Sequence, residues 1–443
     1  MVTSVIGKIF LEAYNARYGT SYSAEQFFLE VFYPLFFDSN KYLYWAQNSP
    51  FVQLEQLGKG KKQKIETLTQ EERKQKLNTF INKVMEKGCS DASVAIGYPA
   101  SDEKEFATTS GQVSNLSNKI SREDVFYSWF GAALGVGIEG NVKDYKGGLS
   151  ILFYDRNILL DIYDGWNIYR ELLNNNEKLP GNKIVTWNGN WLSHKYSRGF
   201  DKNNYMANFN PFVLKGQDFT IKTVSWTKIL IGIARKYKNI KLLGYVYGFG
   251  KMNITIGFIP FDLSQIIAPV DLYTKFFGIE SGRKAEKLWG TAQAFSEGCK
   301  KGVIGLYAME PKGLKEYLEG EIPKLSDKEE QIINFNVYQS WIMAMLNNQE
   351  LWDKAQEFAF ELYECSSAKR AKTVNENKVR MVLEANNKMS FMKNMVNVVE
   401  SADNVEKLKE IASIVNTMPS DNVPYFLTLI RFHYATFTNI KKK

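Results

Sequence analysis

Thr186 to Tyr205 reads TWNGNWLSHKYSRGFDKNNY and mixes residue types that seldom share one segment. Trp187, Trp191, Tyr196 and Tyr205 alternate with His194, Lys195, Arg198 and Lys202 and with several asparagines, and the only acid is Asp201. Cations neutralise phosphates and give salt-dependent affinity. Aromatic faces stack unpaired bases, and Asn or Gln amides read base edges through paired donors and acceptors. The segment therefore reads as chemistry for nucleic acid. The alternative is that Trp187 and Trp191 are core residues beside a polar turn.

Residues for catalysis are scarce. His194 and His433 are the only histidines, and HExxH, CxxC and GxSxG are all absent. His433 lies in LTLIRFHYA, an apolar helical pattern, and is expected in the core. GVGIEG, Gly135 to Gly140, matches GxGxxG, but a dinucleotide site needs a strand before the glycines and a helix after them. Here the pattern predicts a helix before and a turn after, so the glycines are expected to end a helix and start a sheet. LGKGKKQK lacks the GK[ST] ending of a phosphate-binding loop. Asp124 followed by Asp144 and Lys146 imitates a metal-dependent nuclease layout. Asp124, however, stands where a helix should begin and suits the helix dipole. No catalytic or metal residue is assigned, and no cofactor is expected.

The elements that must position these residues follow from periodicity and punctuation. The 443 residues, 44% hydrophobic, suffice for two domains with real cores. Val2–Gly19 has helical spacing and a glycine stop, and Ser23 with Gln26 reads as a capping box before a helix that Pro34 ends or kinks. Residues 68–87 and 123–134 are predicted helices, the second capped by Ser121. GLSILFYD, KIVTWNG, DFTIKTVSW, LLGYVYG and NITIGFI read as short strands, with Gly248 and Gly250 at a hairpin turn. Residues 283–301 return to helix, and from about Glu321 helical periodicity runs to the end. The expected fold is α+β: a mixed domain over 1–315, with an antiparallel sheet and flanking helices, then a helical bundle over 316–443.

Charge is uneven. The chain carries a net +8, yet residues 321–443 hold sixteen cations and sixteen acids, so the excess lies before them. From 219 to 261 there are seven cations and no acid. Cys89, Cys299 and Cys365 are too few and too far apart for a disulfide framework. No signal peptide and no apolar run of ~18 residues is visible, which predicts a cytoplasmic protein without a membrane span.

Several stretches together resemble the large subunit of type I CRISPR surveillance complexes. These are FYPLFFDSNKYLYWAQNSPFVQ, ATTSGQVSNLSNKISREDVFYSWFGAALGVG, IYDGWNIYRELL with TWNGNWLSH, and VPYFLTLIRFHYA. The resemblance implies a non-catalytic subunit that recognises the protospacer-adjacent motif in duplex DNA and aids R-loop formation. Its implied partners are a CRISPR RNA ribonucleoprotein with backbone and small subunits, the target duplex and its displaced strand, and a separate helicase–nuclease. Residues expected to read the motif are Gln112, Asn115, Asn118 and Lys119, then Asn188, Asn190 and Lys195. Expected backbone contacts are Lys59, Lys61, Lys62, Arg198, Lys202, Arg235, Lys236, Lys238 and Lys241, and in the bundle Lys369, Arg370, Lys372, Lys378 and Arg380. A restriction-type nuclease and a scaffold without nucleic-acid contact remain as alternatives.

Overall fold

The computed structural model describes residues 1–44, 51, 56–58, 61–62, 68–86, 121–140, 148–237, 241–249, 253–325, 328–367, 372–399 and 405–440. These form an α+β fold in two compact units, 1–261 with 299–303, and 262–298 with 304–443.

The first unit begins with α1 (Val2–Tyr18), closed by Gly19 in the left-handed conformation. The Ser23–Gln26 capping box is present in both directions and opens a short helix that continues as a π turn over Phe28–Phe32. Pro34 follows the π turn directly and lies in the last helical turn, Tyr33–Phe36, after which the helix ends. Next come α2 (Gln70–Glu86) and α3 (Arg122–Ala133). Ser121 caps α3 by accepting from the Asp124 amide at 3.1 Å, and Asp124 lies in the first turn, as its sequence context predicts. Helices α1 and α3 cross through Gly7 and Gly131: a Cβ at either would strike a backbone carbonyl of the other helix. The aromatic core packs around this crossing, with Phe10, Phe27, Phe32, Phe130 and Trp166 all buried.

Strand β1 (Val136–Ile138) follows α3 directly, so GVGIEG does end a helix and start a sheet. It pairs with β2 (Leu149–Phe153), which pairs antiparallel with β3 (Lys241–Phe249), and β4 (Asn253–Asp262) completes the four-stranded sheet. Gly248 lies within β3 rather than at a turn, and Gly250 lies outside the described residues. Between β2 and β3 the chain makes α4 (Arg156–Asn175), α5 (Ile184–Lys195), a hairpin (Phe212–Lys215 with Asp218–Ile221) and α6 (Trp226–Lys236).

KIVTWNG, read as a strand, is the start of α5. Its residues Ile184, Trp187, Asn188, Trp191 and Leu192 are buried at helical spacing. Burying both tryptophans on one face outweighs the β preference of Ile184-Val185-Thr186.

The second unit contains α7 (Leu263–Phe277), α8 (Glu329–Leu346), α9 (Glu350–Ser367), α10 (Lys372–Leu383), α11 (Lys388–Val399), α12 (Val405–Thr417) and α13 (Val423–Ile440). The expected boundary at 315/316 falls inside this unit. Helix α7 belongs with the bundle because it packs on α8, and Phe276 stacks on Trp352 with ring centroids 5.0 Å apart. Trp341 also donates to the Leu306 carbonyl at 2.9 Å. Arg431 is fully buried and binds the carbonyls of Leu383, Ala385 and Tyr317 at 2.6, 2.9 and 2.7 Å. Burial pushes its guanidinium down to about 10. Among the described residues no helix is long and apolar enough to cross a membrane.

Candidate nucleic-acid interface

Helix α5 carries most of the segment that first suggested nucleic acid, and it is core. Trp187 and Trp191 are 0% and 2% exposed, and their indole nitrogens donate to the carbonyls of Gly165 and Asp161, both at 2.8 Å. Tyr169 stacks on Trp187 at 4.7 Å. The indole faces lie against protein and cannot stack a base.

Asn188 is 0% exposed. Its amide donates to the Ala133 and Gly135 carbonyls at 2.8 Å each, and its oxygen accepts from Trp166 at 3.2 Å. Ala133 ends α3, whose last carbonyls have no partner within their own helix, so Asn188 supplies a donor that the glycine turn lacks. Asn190 is half-buried, and its amide donates to Thr186 and Lys222 carbonyls at 2.9 Å each. Bidentate reading of adenine needs a free amide hydrogen. The motif-reading expectation is therefore corrected for both asparagines.

Lys195 requires the same correction. Its ammonium lies 2.8 Å from Asp161 and 2.5 Å from Asp164, carboxylates one helical turn apart on α4. Asp161 also accepts from Lys236 at 2.7 Å and from the Tyr196 hydroxyl at 2.6 Å, and Arg17 reaches Asp164 at 3.0 Å. Burial alone would raise the Asp161 carboxyl; the hydrogen bonds from Lys195, Lys236 and Tyr196 outweigh it and hold it below the ordinary carboxylate range. For Lys236, burial works against the ammonium, but Asp161 dominates and raises it. Lys236 also lies over the Tyr196 and Tyr237 rings, 4.8 and 5.2 Å from their centroids. These cations tie α1, α4, α5 and α6 together. His194 is also structural: it stacks on Phe209 at 4.5 Å, and burial, the main influence, lowers its pKa.

Other cations of the excess are likewise engaged internally. Arg170 donates to the Leu35 and Lys41 carbonyls at 2.7 and 2.9 Å, and Lys41 itself donates to the Leu179 carbonyl at 2.9 Å. Net charge thus overstates the cations available to a partner.

What remains is a smaller set. Arg198, Lys202, Lys215, Lys222, Lys228 and Lys241 are exposed and make no ion pair among the described residues. They follow α5, occupy the hairpin and its exit, and stand at the first turn of α6 and the start of β3. Between Arg198 and Lys241 the acids are Asp201 and Asp218. Helix α6 starts at Ser225 without a side-chain cap and with no acid in its first turn, while Lys228 stands there. A cation beside the positive end of a helix dipole is unfavourable within the protein, and a phosphate would offset it. Lys215, Lys222 and Lys228 join the expected contacts only here, because their lack of acidic partners among the described residues is a tertiary property.

Of the other expected residues, Arg235 is half-buried in the last turn of α6. Arg380 pairs with Glu384 at 2.6 Å on exposed helix surface, and Lys378 is half-buried on α10. Lys61 and Lys62 form a two-residue strand beside Gln56–Gly58, and Lys372 opens α10. Gln112, Asn115, Asn118, Lys119, Lys59, Lys238, Lys369, Arg370, Asp144, Lys146 and Cys89 lie outside the described residues. No family model, curated protein or solved structure matches the chain.

Proposed function

We propose that this chain is a non-catalytic nucleic-acid-binding subunit, the large subunit of a CRISPR RNA-guided DNA surveillance complex. In this reading it contacts the target duplex beside its protospacer-adjacent motif, aids strand opening and recruits a separate helicase–nuclease in the cytoplasm. The observation that carries the reading is that Arg198, Lys202, Lys215, Lys222, Lys228 and Lys241 are all exposed and have no carboxylate partner among the described residues. Such a surface matches a polyanion, because each phosphate neutralised releases counterions. The sequence resemblance supplies the finer identity.

The test is salt. The full chain is titrated with duplex DNA between about 50 and about 200 mM salt, and affinity is expected to fall by orders of magnitude. Replacing Arg198, Lys202, Lys222 and Lys228 with Ala should flatten the log–log slope by about 3 to 4. An unchanged slope overturns the interface. Failure of the chain to join a particle carrying CRISPR RNA overturns the finer identity.

A further inference from the structure

One side of the sheet in the first unit is closed; the other buries Leu152 and Tyr247 and is open only in part. Ile151, Phe153 and Val246 point to the closed side and are buried. Side chains alternate along a strand, and Leu152 is in register with Tyr245. Leu152, Tyr154, Leu243 and Tyr245 therefore share the open side. The Tyr154 amide extends the ladder by donating to the Leu243 carbonyl at 2.9 Å. On β4, Phe258 leans on Tyr245, ring centroids 5.1 Å apart and planes inclined at 62°. The start of α1, with Val5, forms the facing wall of a groove of about 350 Å³. Val5, Tyr154 and Phe258 are 49%, 52% and 58% exposed. Tyr154, Tyr245 and Phe258, with Val5 and Leu243, thus line a surface that is partly exposed among the described residues, above a floor that includes the buried Leu152. Contiguous apolar surface of this kind marks a binding site in a folded protein.

Charge narrows the occupant. Lys241 precedes Leu243 by two residues on β3, so it stands on the same side, and it is exposed. Strand β3, and β4 up to its last residue Asp262, lie within the run from 219 to 261 that has no acid. A ligand with flat apolar faces and negative charge would match both the rings and Lys241. An unpaired nucleic-acid strand has both: its bases stack on aromatic rings while its phosphates meet cations. The lining offers no amide or carboxyl to read a base edge. We propose that this groove stacks unpaired bases of a single strand without distinguishing them, with Lys241 meeting the backbone. The inference rests on the nucleic-acid reading above and adds to it a groove for single strands that borders the basic set at Lys241.

The experiment uses the full chain and short oligonucleotides carrying one central 2-aminopurine, in thymidine-rich and in adenosine-rich contexts. Stacking quenches the probe, and both contexts should bind with similar affinity. Phe258→Leu keeps an apolar side chain and removes the ring, and Tyr154→Ala removes an exposed ring. Each should weaken single-strand binding about tenfold and restore the probe's fluorescence, while duplex affinity stays unchanged. If single strands bind equally well in both variants, the groove assignment is overturned and the basic surface still stands; an extended apolar peptide as the true occupant gives this result. If the wild-type chain binds neither duplex nor single strand, both readings fall.

Discussion

Asn188 on α5 donates hydrogen bonds to the carbonyls of Ala133 and Gly135, each at 2.8 Å. One buried amide thus holds the end of α3 and the turn into β1, and so sets where the sheet begins. Asn188→Ala should cost about 3 kcal/mol, because two buried carbonyls lose their donor. Asn188→Asp should cost more, since an ionised carboxylate donates nothing to those carbonyls. Urea unfolding measures both. A midpoint equal to wild type would show that the amide is not needed, and folded Asn188→Ala should retain the wild-type salt slope for DNA.

Asp161 receives Lys195, Lys236 and Tyr196 together. Asp161→Asn should destabilise the first unit by about 3 kcal/mol, the scale of breaking a largely buried ion pair. The folded-state pKa is depressed, so the stabilisation is complete above the unfolded value near 4 and fades as pH falls through the lower folded value. Acid unfolding followed by circular dichroism should show wild type losing this contribution below about pH 4. A parallel pH profile in the variant would contradict the assignment.

His433 makes an earlier acid response in the second unit. It sits edge-on to Trp352, centroids 4.6 Å apart, and its Nε2 has no hydrogen-bond partner among the described residues. Burial lowers its pKa to about 4. The unfolded chain takes up this proton near pH 6.5 and the folded chain only near 4, so stability falls as pH drops between those values, by up to about 3 kcal/mol. His433→Phe keeps a ring against Trp352 and should flatten that slope. Urea unfolding at pH values between about 4 and about 6.5 measures the slope, and an unaltered slope counts against His433.

The helical unit should need α7. A fragment covering 262–443 retains the Phe276–Trp352 stack and the Trp341–Leu306 hydrogen bond. A fragment covering 316–443 loses both and exposes the face of α8 that α7 covers. The longer fragment is expected to melt cooperatively and the shorter one to melt lower or bind hydrophobic dyes. Equal melting of the two would place the independent unit at 316.

The helices were legible because their signals are local. The Ser23–Gln26 box, the Ser121 cap, the Gly19 stop and the periodicity from Glu329 onward each depend on residues within a turn or two of one another. The β-rich composition of GLSILFYD and NITIGFI likewise foretold β2 and β4. The state of α5 and the roles of its side chains were not local. Trp187, Asn188 and Lys195 have the types of a nucleic-acid surface, and only their partners Gly165, Ala133, Gly135, Asp161 and Asp164 make them internal. Those partners lie about 20 to 55 residues away in the chain, beyond any periodicity. The same holds for charge. Composition determines that the first part of the chain is basic, but burial and pairing decide which cations face solvent. Tertiary structure left Arg198, Lys202, Lys215, Lys222, Lys228 and Lys241 outside, because no carboxylate folds back to meet them among the described residues.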